Sequence, residues 1–241
     1  MERNNHKGKS MELFFYPELI NGIVELDETE ARHVRVLRKR VGDMLMLIDG
    51  KGHRSDAMIV ELSQRQILLQ LDNVEYFEKQ STRLVLGVSP LKNPDRFEWL
   101  VEKCTESGVD TIVPIVCDRT EAALKKTDRL QRIMRSATTQ SLQYYMPELA
   151  PPISYAEFFR QYKAEKQLIA WCDDAEKQSL LSALPAGSNA AILIGPEGDF
   201  TKAEFELAIS NGFEAISMGQ NRLRTETAAV FAAQAFYLIN Q

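Results

Sequence analysis

The sequence predicts an α/β protein in two parts, a short β-rich region followed by a longer one in which strands and helices alternate. Closely spaced β-rich runs before about residue 76 and a strand–helix rhythm from residue 83 carry that expectation. The composition agrees. The 241 residues are 44% hydrophobic and 26% charged, enough to bury a sizeable core, and at this length one large domain or two modest ones are expected.

The first ten residues, MERNNHKGKS, lack the apolar stretch of a signal peptide and read as a disordered leader, with Met11 as an alternative start. From 11 to 76, short runs at 13–16, 23–26, 43–48, 57–62 and 66–71 are separated by turn signals such as Asn21-Gly22 and Gly50-Lys51-Gly52. One helix interrupts them: Asp27 and Glu30 have capping-box spacing, and Ala31, Val34 and Leu37 recur on one face. Strands this close together suggest a small β-barrel. The polar stretch 77–82 reads as a linker, leaving 83–241 as the second domain.

There the strand candidates are 84–88, 111–116, 167–172, 190–194 and 215–218. Helices are expected near 95–107 (Asp95 and Glu98 as box, Gly108 as stop), 126–143, 155–163, 201–211 (Thr201 and Glu204 as box) and 226–239. Such alternation implies a mostly parallel sheet with helices on both faces.

Several functions are excluded or weak. No window approaches the roughly 18 apolar residues of a membrane span. The three cysteines lie far apart without a CxxC pair, and no His/Asp/Glu spacing reads as a metal site, so no metal is expected. No serine sits in a nucleophile elbow, and no GxGxxG follows a strand. A reducing cytoplasm is the expected location. The net charge of −5 argues against coating nucleic acid by bulk charge, yet the charge is sorted. Arg32, Arg35, Arg38, Lys39 and Arg40 share a run free of acids, and Arg119, Lys125, Lys126, Arg129, Arg132 and Arg135 form a second cluster.

In open α/β sheets ligands sit beyond the carboxyl ends of the strands, and two such loops stand out. In Ile194-Gly195-Pro196-Glu197-Gly198-Asp199 the glycines permit a tight turn, and Glu197 puts a carboxylate where the next helix begins. That suits a cation, hydroxyl or amine better than a phosphate. The second loop, from Met218 and Gly219 through Arg222, Leu223 and Arg224 to Glu226, leads abruptly into a helix apolar nearly all round, the mark of burial in a core or subunit interface.

Together these residues resemble the RsmE family of SPOUT methyltransferases, the 16S rRNA (uracil-N3)-methyltransferases. The resemblance runs from about Met11 to Gln241. It rests on the arginine segment at 33–38, the stretch from Lys92 to Val109, the GPEG loop at 195–198 and, most specifically, LRTETA at 223–228. Asp199 stands where the family has a second glycine after GPEG, Ser107 where it has leucine, and 139–143 lacks the acid and arginine of the family's EQS-x-R segment.

The resemblance implies a PUA-like N-terminal barrel, a SPOUT domain with a trefoil knot, and a homodimer acting on 16S rRNA within the 30S subunit. It implies S-adenosylmethionine held by Ile194, Gly195, Pro196, Glu197, Gly198, Met218, Gly219, Leu223 and Arg224. Arg224, Glu226 and Arg222 are the catalytic candidates, either as base (Glu226) or as cations stabilising a uracil anion. Arg32, Arg35, Arg38, Lys92, Arg119 and Arg135 are the RNA-docking candidates. The alternatives are a SPOUT enzyme for another rRNA or tRNA nucleotide, and a non-catalytic ribosome-assembly factor.

Overall fold

The computed structural model describes residues 12–124, 127–172 and 177–241; the expected leader, Lys125 and Lys126 lie outside them. In chain order, the first elements are β1 (Leu13–Phe15), β2 (Gly22–Glu25), α1 (Glu28–Val36), β3 (Met44–Ile48), β4 (His53–Leu62) and β5 (Ile67–Tyr76). Then follow β6 (Leu84–Val88), α2 (Pro94–Glu106), β7 (Thr111–Val116), α3 (Thr127–Gln140), β8 (Glu148–Leu149), β9 (Ile153–Ser154) and α4 (Tyr155–Gln161). The last are β10 (Lys166–Ala170), β11 (Gln178–Ser179), α5 (Leu180–Ala183), β12 (Ala190–Ile194), α6 (Lys202–Ser210), β13 (Glu214–Ser217) and α7 (Thr225–Ile239).

The chain divides into two compact units. The first runs through Lys79 and also takes in Thr138–Tyr145; the second comprises Gln80–Ala137 and Met146–Gln241. In the first unit the five strands are bonded in the order β1-β3-β4-β5-β2. Asp27 caps α1 by accepting from the Glu30 amide, as the spacing predicts, and Ala31 and Val34 pack on Phe14, Leu47 and Leu69. The hairpin strands β4 and β5 each extend to ten residues, beyond 57–62 and 66–71. Register shifts at Asp56/Ala57 and Ile59/Glu61 interrupt the period-2 pattern, so alternation alone does not show the full length. The late segment is stitched in by main-chain bonds: the Gly52 amide donates to the Tyr144 carbonyl at 3.0 Å, and Lys51 bridges Tyr145. The Tyr145 hydroxyl donates to the Phe77 carbonyl at 2.7 Å.

The second unit carries an eight-stranded sheet, parallel in every pairing, whose main path runs β11-β13-β10-β12-β6-β7-β8. Period-2 alternation sorts its strands between two cores. Leu84, Leu86, Ile192 and Ile194 face α2, α3 and α7, while Ala191, Leu193, Val113 and Ile115 face the aromatic cluster of Tyr155, Phe158, Phe159, Phe200 and Phe213. Gly87 follows this phase: a Cβ there would lie 2.7 Å from the Phe158 ring and 2.8 Å from Leu193, an overpacking worth about 1–3 kcal/mol.

The helix starts differ from expectation at one point. Asn93, not Asp95, caps α2, accepting from the Asp95 amide with Pro94 in the first turn. The expected Thr201–Glu204 box on α6 forms, and α4 has one from Ser154 and Glu157. The chain leaves β13 beside β10 and returns across the sheet, where α7 packs against α2, β6 and β12.

Candidate active site

β13, β10 and β12 are neighbours and parallel, so their carboxyl ends share one edge. The loops leaving them enclose a cavity of about 750 Å3, lined by Trp171 and Cys172 after β10, the 194–200 segment after β12, and 216–223 with Thr225 and Ala228 after β13. That volume falls in the range of small-molecule sites, roughly 300–1,000 Å3.

The loop after β12 is held from several sides. The Asp199 amide donates to the Pro196 carbonyl at 2.9 Å, closing the turn, and Asp199 itself takes a left-handed φ of 64°. Its carboxylate accepts from its neighbour, the Phe200 amide, at 2.8 Å and from the Cys172 amide of the adjacent loop at 2.9 Å. The position is one where glycine is the unstrained residue, and the two accepted bonds offset the strain. Arg119 donates to the Gly198 carbonyl at 2.6 Å and to Phe200 O at 3.5 Å. Buried Glu204, besides completing the α6 cap, accepts from the Asp118 amide at 2.7 Å. The β7 loop and the GPEG loop are thereby tied to one helix start.

The loop after β13 is built differently. Gly219 has φ 116° and open space where a Cβ would be, and the local bonds are those between Ser217 and Gly219. Arg222 is exposed and lines the cavity. Arg224 occupies the N-cap position of α7 with no side-chain cap bond and points no atom into the cavity lining. Thr225 donates its hydroxyl to the Gly195 carbonyl at 3.0 Å, a buried bond that joins the two signature segments directly. Glu226 is buried on another face of the helix, with Oε1 3.7 Å from Arg96 Nε and Oε2 without a hydrogen-bond partner among the described residues. Of the catalytic candidates, the structure brings Arg222 to the cavity and places Arg224 and Glu226 outside its lining.

Of the cofactor candidates, Ile194, Gly195, Pro196, Glu197, Gly198, Met218, Gly219 and Leu223 line the cavity. Among the basic candidates, Arg32 is exposed beside Glu28, Arg38 is exposed, and Arg35 donates to the Ser63 and Gln64 carbonyls. Lys92 pairs with Glu121 at 2.6 Å, Arg119 is engaged by the GPEG loop, and Arg135 is half-buried. Sequence reasoning missed the wall of Ala170, Trp171, Cys172 and Lys177. Trp171 stacks on Phe205 at 3.7 Å, and Lys177 donates to its carbonyl at 2.8 Å. Burial and the Asp199 carboxylate raise the Cys172 thiol above its ordinary pKa, against the opposing cations Arg222 and Lys177. Among the described residues no group of three His, Cys, Asp or Glu could hold a metal ion.

A parallel sheet with a strand-end cavity, preceded in sequence by a separate small β unit, is the setting for the class of protein the family models identify, an RNA methyltransferase. Residues 78–237 match the RNA methyltransferase domain and residues 26–72 the RNA methyltransferase PUA domain. The chain belongs to the ribosomal RNA small subunit methyltransferase E family. The Synechocystis sp. member is 30% identical over 222 residues, 89% of this chain and 73% of the relative; the Aquifex aeolicus member is 27% identical over 91% and 96%. The crystal structure of a probable rRNA-methyltransferase from Porphyromonas gingivalis superposes with a TM-score of 0.89 at 35% identity, covering 95% of this chain and 98% of that one. That of the Neisseria gonorrhoeae ribosomal RNA small subunit methyltransferase E, bound to S-adenosyl methionine, gives 0.85 at 30% identity, with 96% and 98% coverage.

Proposed function

We propose that this chain transfers a methyl group from S-adenosylmethionine to N3 of a uridine in 16S rRNA, acting on the 30S subunit as a cytoplasmic homodimer. The observation that carries the reading is the cavity walled by both signature loops and joined by the Thr225–Gly195 bond. Its residues fit the cofactor. Ile194, Ile216, Met218, Leu223 and Ala228 offer apolar surface for a purine, Gly219 leaves open space where a Cβ would stand, and Glu197 supplies one carboxylate.

When bound, S-adenosylmethionine supplies an activated methyl on a sulfonium. The protein's part is then to bind, orient and stabilise charge. Glu197 offsets the positive sulfonium or holds a ribose hydroxyl. The uridine imide loses its N3 proton to solvent water, since among the described residues no histidine lines the cavity to accept it. Arg222 at the cavity and Arg224 at the start of α7 stabilise the uracil anion as it forms. Glu226, turned towards Arg96, orients the first turn of α7 rather than meeting the base.

Arg32, Arg38 and Lys92 dock RNA; Arg35 and Arg119 already hold main-chain carbonyls and shape the surfaces around them. For the homodimer, the support is apolar surface left open on the second unit: Trp99 is 43% exposed on α2, and Phe231 is 41% and Leu238 65% exposed on α7. The unit boundaries support a first domain up to the 77–82 linker, extended by Thr138–Tyr145.

The test is incubation with methyl-labelled S-adenosylmethionine and unmodified 30S subunits, followed by nucleoside mass spectrometry of the 16S rRNA. N3-methyluridine is the expected product. Cofactor binding without transfer to 30S would turn the search to other RNAs, and neither binding nor transfer would leave an assembly factor.

A further inference from the structure

A second cavity opens at the same edge of the sheet, beyond β6 and β7. It measures about 500 Å3 and is lined by Pro90–Lys92, the first turns of α2, Glu121–Leu124, and Arg129 with Leu130 of α3. Because β6 pairs with β12, this cavity lies beside the one assigned to the cofactor. Lys92 belongs to its lining, while Glu197, which lines the cofactor cavity, is among the carboxylates acting on that lysine. Glu121 is the nearer, with its carboxylate 2.6 Å from the ammonium, and it holds Lys92 above the usual lysine range. Lys92 therefore stays charged in the second cavity, within electrostatic reach of a carboxylate that lines the first.

We infer that this second cavity seats the acceptor base, a single unstacked uracil nucleotide, with Lys92, held by Glu121, donating to its C4 carbonyl. The inference rests on the methyl-transfer reading above. The chemistry of the lining selects the ligand. Asp95, Glu98 and Glu121 outnumber Lys92 and Arg129, and both cations are already paired, Arg129 to Glu98 at 2.6 Å. A phosphate would be repelled from the interior, whereas a neutral ring is not. Pro90, Leu91, Pro94, Leu124 and Leu130 give apolar surface for the faces of such a ring.

The Lys92 ammonium, held by Glu121, is a donor, and uracil offers it a carbonyl acceptor at C4 where cytosine carries an amine, itself a donor. Reading the base at C4 leaves N3 free to face the methyl donor. The Lys92–Glu121 pair is exposed on both sides, so it can reshape around a base at little cost. A base chosen for chemistry must leave its stack, and a pocket adjoining the methyl donor is where such a base has to go.

The test fills the cavity in the full-length protein. Ala122→Phe and Ala123→Phe each add bulk to its lining, and Lys92→Met removes the donor. Three readings are taken: S-adenosylhomocysteine affinity by calorimetry, methyl transfer to unmodified 30S subunits, and saturation-transfer NMR with uridine and cytidine 5′-monophosphates in the presence of S-adenosylhomocysteine. S-adenosylhomocysteine affinity within about twofold of wild type is expected, with kcat/KM for 30S lowered roughly tenfold or more in the filled variants. The uridine nucleotide signal should exceed the cytidine signal in the wild type, vanish in the filled variants and lose its preference in Lys92→Met.

Undiminished transfer and undiminished uridine nucleotide signal in both filled variants would overturn the assignment. Parallel loss of S-adenosylhomocysteine affinity would overturn the separation into two sites. A wild type that binds the uridine nucleotide in this cavity yet methylates no 30S subunit would fail the functional reading alone.

Discussion

The two loops that wall the cofactor cavity are made in opposite ways. The GPEG loop is gripped by Arg119, by the Asp199 bond to Cys172, and by the helix start at Glu204. The loop after β13 has local Ser217–Gly219 bonds and the Thr225 anchor, while Gln220, Asn221, Arg222 and Arg224 extend exposed side chains that make no hydrogen bond or ion pair among the described residues. One wall is already organised for binding. The other keeps its charged groups uncommitted, as is required of groups meant for a charge that develops only during reaction. On the proposed function, the first loop carries affinity and the second turnover.

Arg224→Ala should break that division most severely. Turnover on 30S subunits should fall roughly 10²–10³-fold, the scale of removing a positioned charge stabiliser, with S-adenosylhomocysteine affinity nearly unchanged. Single-turnover transfer and calorimetry on the same preparation check it; an equal loss in both readings would erase the distinction. Arg119→Met tests the opposite wall. Losing a charged donor to the Gly198 carbonyl should weaken cofactor binding by about 1.5–3 kcal/mol, read by calorimetry, and leave the maximal rate less affected.

Cys172 reports on both loops with a smaller effect. Burial and Asp199 raise its thiol pKa, and Arg222 and Lys177 oppose them. Asp199→Gly should therefore lower that pKa, increase the thiolate fraction near pH 8 and speed alkylation; Arg222→Ala should slow it. Burial raises the pKa of the Cys104 and Cys117 thiols, which should react last, and S-adenosylhomocysteine should shield Cys172. Mass spectrometry of iodoacetamide-treated protein over time distinguishes these rates. The smallest expected change is the stability of Asp199→Gly: relief of the left-handed φ and loss of two accepted bonds oppose each other, leaving a net shift within about 1 kcal/mol in a denaturant titration.

Much of this was legible in the sequence because the relevant signals are local. The strands at 84–88, 111–116 and 190–194 have the expected bounds, since each is an apolar run closed by turn residues. β8, β9, β11 and α5, of two to four residues, are too short to display any period. The two glycine- and charge-bearing loops were visible, but the wall at Trp171 and Cys172 was not. Its role follows from β10 lying between β12 and β13, and strand order is a long-range property. Nor could the sequence fix the rotation of α7. A helix apolar nearly all round offers no phase, so only the fold shows Thr225 facing Gly195 and Glu226 facing Arg96.

The stitching of Thr138–Tyr145 into the first unit also bears on how the chain is made. Synthesis proceeds at roughly 5–20 residues per second, so the stretch from Gln80 to Ala137 delays that segment by several seconds after Lys79. Through that interval the growing chain carries a first unit whose seam at Lys51 and Gly52 is still open. Completion of the two units is interleaved in time, and a fragment released at the linker would be a permanently unfinished intermediate.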